Sequence, residues 1–305
     1  MASAGCRAGA TTAVKDQRHD LQSGGEQRWY FLTTPSVANG RRPMPLVVDL
    51  HGLAEGAGIH VQMTQFGRLA QAKKFIVATP NGTGSPVGWK IGDESPSNPD
   101  LQFVTKLLDD IEAKRCIDTS RVYATGLSDG ALFSSLLACT MSNRFTAIAP
   151  VAGVAMAKTC TTSRPVPVLA IHGTADPILL FNGGVGDRLS QVLGGKSNIK
   201  TTSTTVPTDL HGTGYPAAVA AWAAKDGCDH QATDKRIARD VIRRTYSCPA
   251  GVGVEFLIVI GGGHSWPGSQ LSKSIANIVG PTSFSFDATA EIYRWLHQYR
   301  LSKPA

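Results

Sequence analysis

Short uninterrupted apolar runs alternate with amphipathic stretches along most of this chain. Residues 46–50, 75–80, 121–125, 147–154, 166–171 and 254–260 are such runs. They are too short for buried helices and lack polar alternation, as expected of strands covered on both faces of a parallel sheet. Residues 28–33 are aromatic and β-prone and predict a first strand. Between the runs, apolar side chains recur at helical spacing. A helix is predicted over residues 60–73. A second starts at Asn98-Pro99-Asp100, with Asn as cap and Pro in the first turn, and turns Val104, Leu107, Leu108 and Ile111 to one side. A third carries Ala131, Leu132, Phe133, Leu136 and Leu137, a fourth spans 217–224, and a closing one spans 287–299 with Ile292, Trp295, Leu296 and Tyr299 inward.

Strands alternating with helices predict an α/β fold, a mostly parallel central sheet flanked by helices. No internal repeat or linker divides the chain, so one domain is expected over residues 27–305. Residues 1–26 are polar and glycine-rich and predict an irregular arm. Residues 82–99 predict a surface loop holding Trp89. Residues 178–216 have little periodicity and many Gly, Ser and Thr, which predicts a long loop of the functional or mobile kind.

Composition adds limits. A chain of 305 residues with 42% hydrophobic and 17% charged residues is globular and buries a full core. The formal charge is +7, but the basic residues are scattered, with short pairs at Arg41-Arg42 and Arg243-Arg244. A nucleic-acid groove needs them clustered with stacking aromatics, so no nucleic-acid partner is expected. No run reaches the roughly 18 apolar residues of a membrane span. The order of oligomerisation is not legible; a monomer is the expectation.

Six cysteines form neither a CxxC nor a zinc-site spacing, so no metal is expected. Pairing by sequence proximity gives Cys139–Cys160 and Cys228–Cys248 and leaves Cys6 for Cys116, although other pairings, or six reduced thiols in a cytosolic protein, satisfy the same count. Disulfides would imply export, with the chain secreted or held at the cell envelope. The opening residues lack a signal peptide and fit the start of a mature secreted chain. Gly5-Cys6 also resembles the end of a lipoprotein cleavage site, but Ser3 stands where leucine is preferred, and a lipid anchor at Cys6 is the lesser expectation.

The candidate chemistry lies at strand ends. Gly126-Leu127-Ser128-Asp129-Gly130 ends one apolar run and opens a helix, the context in which a serine stands at the tip of a tight turn and flanking glycines make room for it. A structural turn is the alternative. A serine nucleophile needs a base and a carboxylate that orients the base. Asp176 follows the 166–171 run, and His264 follows the last run after three glycines. Their bland roles would be an Asp-Pro turn and a loop histidine. The order Ser, Asp, His is the one expected on an α/β-hydrolase sheet. Developing negative charge on a carbonyl oxygen needs donors aimed at it. The backbone N–H groups of Leu53, after His51-Gly52, and of Asp129 are the candidates. The Asp129 side chain is expected to cap the elbow helix. Trp89 and Trp266 are candidate substrate-binding aromatics at the mouth of the site, with simple packing as the alternative.

The segments Leu50-His51-Gly52, Arg121 through Ala131 around the elbow, Ala149-Pro150-Val151-Ala152-Gly153, His172-Gly173-Thr174-Ala175-Asp176 and Gly262-Gly263-His264-Ser265-Trp266-Pro267-Gly268 together resemble the polyhydroxybutyrate depolymerase family of esterases. That family overlaps with the feruloyl and acetylxylan esterases of the first carbohydrate esterase family. The resemblance spans about residues 27–300. It implies a secreted α/β-hydrolase with Ser128, Asp176 and His264 as triad, cleaving carboxylic esters, small or polymeric, without a cofactor. Two departures stand out: members often carry Ser-Asn-Gly-Gly where this chain has Ser-Asp-Gly-Ala, and the 178–216 stretch is longer than usual, an insertion that by the resemblance would border the acyl or polymer cleft. Feruloyl-sugar esters, hydroxyalkanoate polyesters, aromatic polyesters and short-chain esters all remain open as substrates. A peptidase or thioesterase could use the same triad. A non-catalytic polymer-binding module on a hydrolase fold is the alternative of another class.

Overall fold

Ten strands join in one sheet in the computed structural model, which describes residues 1–7, 12–38, 40–160, 162–193 and 208–302. The strands are β1 (Val14–Ser23), β2 (Glu26–Thr34), β3 (Met44–Leu50), β4 (Ile76–Pro80), β5 (Ile117–Leu127), β6 (Ala147–Val151), β7 (Val168–Gly173), β8 (Ala232–Ala238), β9 (Val241–Tyr246) and β10 (Val254–Val259). Their order is β1-β2-β4-β3-β5-β6-β7-β10-β9-β8. The centre from β4 to β10 is parallel. Antiparallel pairs close both edges. This is the mostly parallel α/β architecture that the alternating pattern predicts, with the α/β-hydrolase arrangement that the resemblance implies.

The central strands are fully buried along their length, which is why they appear as plain apolar runs. Side chains still alternate between faces. Leu46, Val48 and Leu50 pack with the helices Pro99–Lys114, Asp129–Thr140 and Tyr215–Lys225. Val47 packs on the other face with the helices Phe66–Lys73 and Ala288–Leu296. Asn98 and Asp287 cap their helices by accepting from the N–H groups of Asp100 and Ala290.

Several expectations are corrected. The N-terminal stretch is no irregular arm: β1 pairs with β2, whose antiparallel hydrogen bonds extend the sheet. The helix expected over 60–73 is two helices, Gly56–Thr64 and Phe66–Lys73, broken at Gln65 in the left-handed region. The β8–β9 hairpin was not expected at all. Of the 178–216 stretch, residues 194–207 lie outside the described residues.

The three disulfides are Cys6–Cys116, Cys139–Cys160 and Cys228–Cys248. No helix among the described residues is long and apolar enough to cross a membrane.

The direction of the chain reverses between β3, which is followed by β4 on one side, and β5 on the other. Ligands bind open α/β sheets at the crevice beyond the strand ends at such a switch point. The loop His51–Leu53 after β3 and Ser128 after β5 both stand there.

Candidate active site

The elbow is shaped by lack of room. A Cβ on Gly126 would collide with Leu50 O and Gly130, and one on Gly130 would overlap the carbonyl oxygens of Leu50 and His51. Both glycines therefore let β5, β3 and the helix Asp129–Thr140 touch through their backbones. Ser128 between them has φ 56° and ψ −117°, a conformation costly for any side-chain-bearing residue. It is held by its N–H donating to Val151 O (2.9 Å) and by Leu132 N–H donating to its carbonyl (2.9 Å).

The same logic joins the other two loops. A Cβ on Gly173 would overlap Gly262, and one on Gly263 would overlap Val279 O. The loops after β7 and β10 thus lie backbone to backbone, laced by Thr174 N–H to Val259 O and Ala175 N–H to Gly262 O, both 2.9 Å. That contact brings His264 Nδ1 to Asp176 Oδ2 at 2.7 Å. Asp176 Oδ1 accepts from the N–H groups of Ile178 (2.8 Å) and Leu179 (2.9 Å). Burial alone would raise the Asp176 pKa, but His264 and His172 hold it well below the usual carboxylate range. An ionised Asp176 fixes the His264 proton on Nδ1 and leaves Nε2 as an acceptor.

Ser128, His264, Leu53 and Asp129 line one cavity of about 390 Å³. Among the described residues no hydrogen bond joins Ser128 to His264; unliganded sites often show this contact slack. The N–H of Asp129, first in its helix, and that of Leu53 donate to no acceptor among the described residues. Both are thus available to a ligand. The walls are aliphatic: Ile59 and Met63 from the helix Gly56–Thr64, Leu127 and Leu132 beside the elbow, Ile178 and Leu189 from the 178–193 segment, Ile275 and Ile278 beyond His264. No Phe, Tyr or Trp among the described residues lines this cavity.

The two tryptophans lie elsewhere. Trp89 is 7% exposed, stacks on Phe133 at 4.9 Å and donates its Nε1–H to His51 O (2.9 Å). Trp266 is 1% exposed, donates to Thr289 Oγ1 (2.9 Å) and meets Phe66 edge-on. Both are packing residues. The Asp129 carboxylate does not cap its helix either: it accepts from Trp89 N–H at 2.7 Å, tying the 82–99 loop to the elbow. Burial raises its pKa to about 6, against the opposing pull of that N–H.

Some residues were missed. His172 sets Nε2 3.1 Å from Asp176 Oδ2 and 2.9 Å from Leu179 O, and stacks on Tyr215 at 3.8 Å. His60 is fully buried between Asp49 and Glu55. No spacing signal could have found it, because its partners come from a strand and a loop. His51 organises its loop by accepting Gly82 N–H on Nε2 at 2.8 Å. Among the described residues no group of His, Cys, Asp and Glu side chains is arranged to hold a metal ion.

Residues 29–194, more than half of the chain and including the elbow and Asp176, match the esterase PHB depolymerase family. The chain belongs to this family. Within the PHB depolymerase esterases and their relatives, it is 28% identical to feruloyl esterase B of Piromyces equi over 78% of this chain and 42% of that one. It is 31% identical to the bifunctional acetylxylan esterase/xylanase of Neocallimastix patriciarum over 45% of this chain and 20% of that one. The chain thus spans less than half the length of both relatives. The acetyl xylan esterase from Aspergillus awamori superposes with TM-score 0.57 at 15% identity, covering 82% of this chain and 94% of the other, which is a likeness of fold.

Proposed function

We propose that this PHB depolymerase-family chain is an exported serine carboxylesterase with Ser128, His264 and Asp176 as its triad. The observation that carries the reading is one cavity shared by a serine on a strained elbow, a histidine bonded to a buried carboxylate at 2.7 Å, and two unengaged N–H groups. Ser128 Oγ attacks the ester carbonyl while His264 Nε2 takes its proton. The oxyanion is received by the N–H groups of Leu53 and Asp129. His264 returns the proton to the departing alcohol, and a water activated by His264 then releases the acyl group. Asp176 keeps the imidazole in the tautomer these steps need. All of it sits in a single catalytic domain, with Ile178, Leu179, Leu189, Gln191 and Val192 of the long stretch after β7 bordering the cleft.

The aliphatic lining supports an aliphatic acyl group, such as a hydroxyalkanoate unit of a polyester, over a phenolic acid. Phenolic esters are the second reading, favoured by the similarity to feruloyl esterase B. Three disulfides support an oxidising compartment, hence export.

A single assay series tests this. The wild-type chain should take a fluorophosphonate label and hydrolyse p-nitrophenyl butyrate and polyhydroxybutyrate film in preference to methyl ferulate. Ser128→Ala should lose the label and roughly 10⁴-fold or more of the activity. Activity retained in that variant would sink the triad assignment, and preference for methyl ferulate would overturn the aliphatic one.

A further inference from the structure

The helix Gly56–Thr64 meets the end of β3 through His60 and Asp49, both fully buried, and through Glu55, which stands at the cavity edge. His60 Nε2 donates to Asp49 Oδ1 at 2.8 Å, and His60 Nδ1 donates to Glu55 Oε1 at 3.0 Å. Thr64 Oγ1 completes Asp49 by donating to Oδ2 at 2.7 Å. With both ring nitrogens donating to carboxylates, His60 is an imidazolium. Burial would lower its pKa, yet the two carboxylates outweigh burial and lift it to about 10. Burying such a set carries a large desolvation cost, so a role beyond packing is the natural question.

Glu55 supplies the answer through its second oxygen. It stands at the N-cap of the helix but makes no capping bond; Oε2 instead accepts the Gly52 N–H at 2.6 Å. The Gly52 carbonyl is held too, by Glu55 N–H at 3.2 Å and His51 Nδ1–H at 2.8 Å. A Cβ on Gly52 would lie 3.6 Å from Ser128 Cβ, so this peptide abuts the nucleophile. With Gly52 pinned at both ends and Ala54 N–H bonded to Val87 O (2.7 Å), the Leu53 N–H between them stays unengaged. Glu55 also lines the cavity. Left unpaired, its negative charge would oppose an oxyanion; His60 offsets it.

We propose that His60 is a positioning residue for the oxyanion loop: held as an imidazolium between Asp49 and Glu55, it fixes Glu55, hence the Gly52 peptide, hence the aim of the Leu53 N–H. This rests on the reading of Ser128 as nucleophile and of Leu53 N–H as an oxyanion donor. His60 also meets the edge of Trp266 at 5.9 Å, two residues beyond His264, so the same imidazolium buttresses the loop of the base.

The test uses the full chain with Glu55→Ala, Glu55→Gln and His60→Gln, and Ser128→Ala as control. Kinetics are read on p-nitrophenyl butyrate, and inhibition with an aliphatic trifluoromethyl ketone, whose serine adduct carries an oxyanion. Glu55→Ala and His60→Gln are expected to lose about a hundred- to a thousandfold in kcat with KM within about threefold. Ketone affinity should fall in parallel with kcat/KM. Glu55→Gln should recover part of the loss, since its amide oxygen can still accept the Gly52 N–H. If His60→Gln fails to fold, the two Glu55 variants at the cavity edge carry the test. Folded variants with wild-type kcat, a loss confined to KM, or unchanged ketone affinity would overturn the proposal. Turnover surviving in Ser128→Ala would instead overturn the serine-esterase reading, and this inference with it.

Discussion

Beside the candidate nucleophile stands a carboxyl group that the fold would rather keep neutral. Burial lifts the Asp129 pKa to about 6, above the ordinary value near 3.9, while the Trp89 N–H pulls the other way. For an acid whose pKa is raised on folding, the native state binds the extra proton. Stability is therefore fully present below about pH 4 and lost as pH rises through about 6. Asp129→Asn keeps an oxygen for the Trp89 N–H and removes the charge. It is expected to be more stable than wild type at pH 7 by about 1–2 kcal/mol, with the gap closing by pH 4. Thermal melts of both proteins from pH 4 to 8 check this; a pH-independent gap would mean the charge is not the cause.

At the scale of elements, glycines act oppositely depending on what faces them. Gly130 joins the elbow helix to β3, and a methyl group there meets Leu50 O and His51 O, backbone atoms that cannot swing aside. Gly58, exposed in the helix Gly56–Thr64, has nothing within 4 Å of its Cβ position. Gly130→Ala should thus cost about 3 kcal/mol or more, whereas Gly58→Ala should gain up to about 1 kcal/mol from helix propensity. Urea unfolding of the two variants reads both signs. The same contrast explains what the sequence disclosed. The central strands are buried on both faces, so their apolar runs were plain, and the residues at their ends, Ser128, Asp176 and His264, could be picked by position. The edge strands carry no such mark. β8 is exposed along nearly its whole length, and only alternate residues of β1 are half-buried. The break at Gln65 was hidden because apolar spacing continues across it. Trp266 was misplaced because closeness to His264 in sequence says nothing about side-chain direction, and this one points back under the loop onto Thr289.

Across the whole molecule, buried charges set a stability profile whose limbs can be separated by pH. Asp176, held low by its histidines, contributes stability above about pH 4 that is lost as pH falls. His60 works on the opposite limb. Its pKa near 10 exceeds the ordinary value of 6.5, so its contribution is fully present below about pH 6.5 and is lost as pH climbs towards 10. The buried tyrosines Tyr30, Tyr123 and Tyr215 are displaced upward from 10, mainly by burial, so they titrate beyond this window. A decline in stability between pH 7 and 9.5 is therefore assignable chiefly to His60. Guanidinium unfolding at half-unit steps should show the wild-type free energy falling across that range, while His60→Gln, less stable at pH 7, should run nearly flat and converge on wild type towards pH 10. Parallel slopes in the two proteins would mean that His60 is not the charged centre of the clamp. Because the same imidazolium holds Glu55 against Gly52 and keeps its proton in the native state until about pH 10, kcat should hold across the range in which stability falls and drop only towards pH 10, a drop absent from His60→Gln.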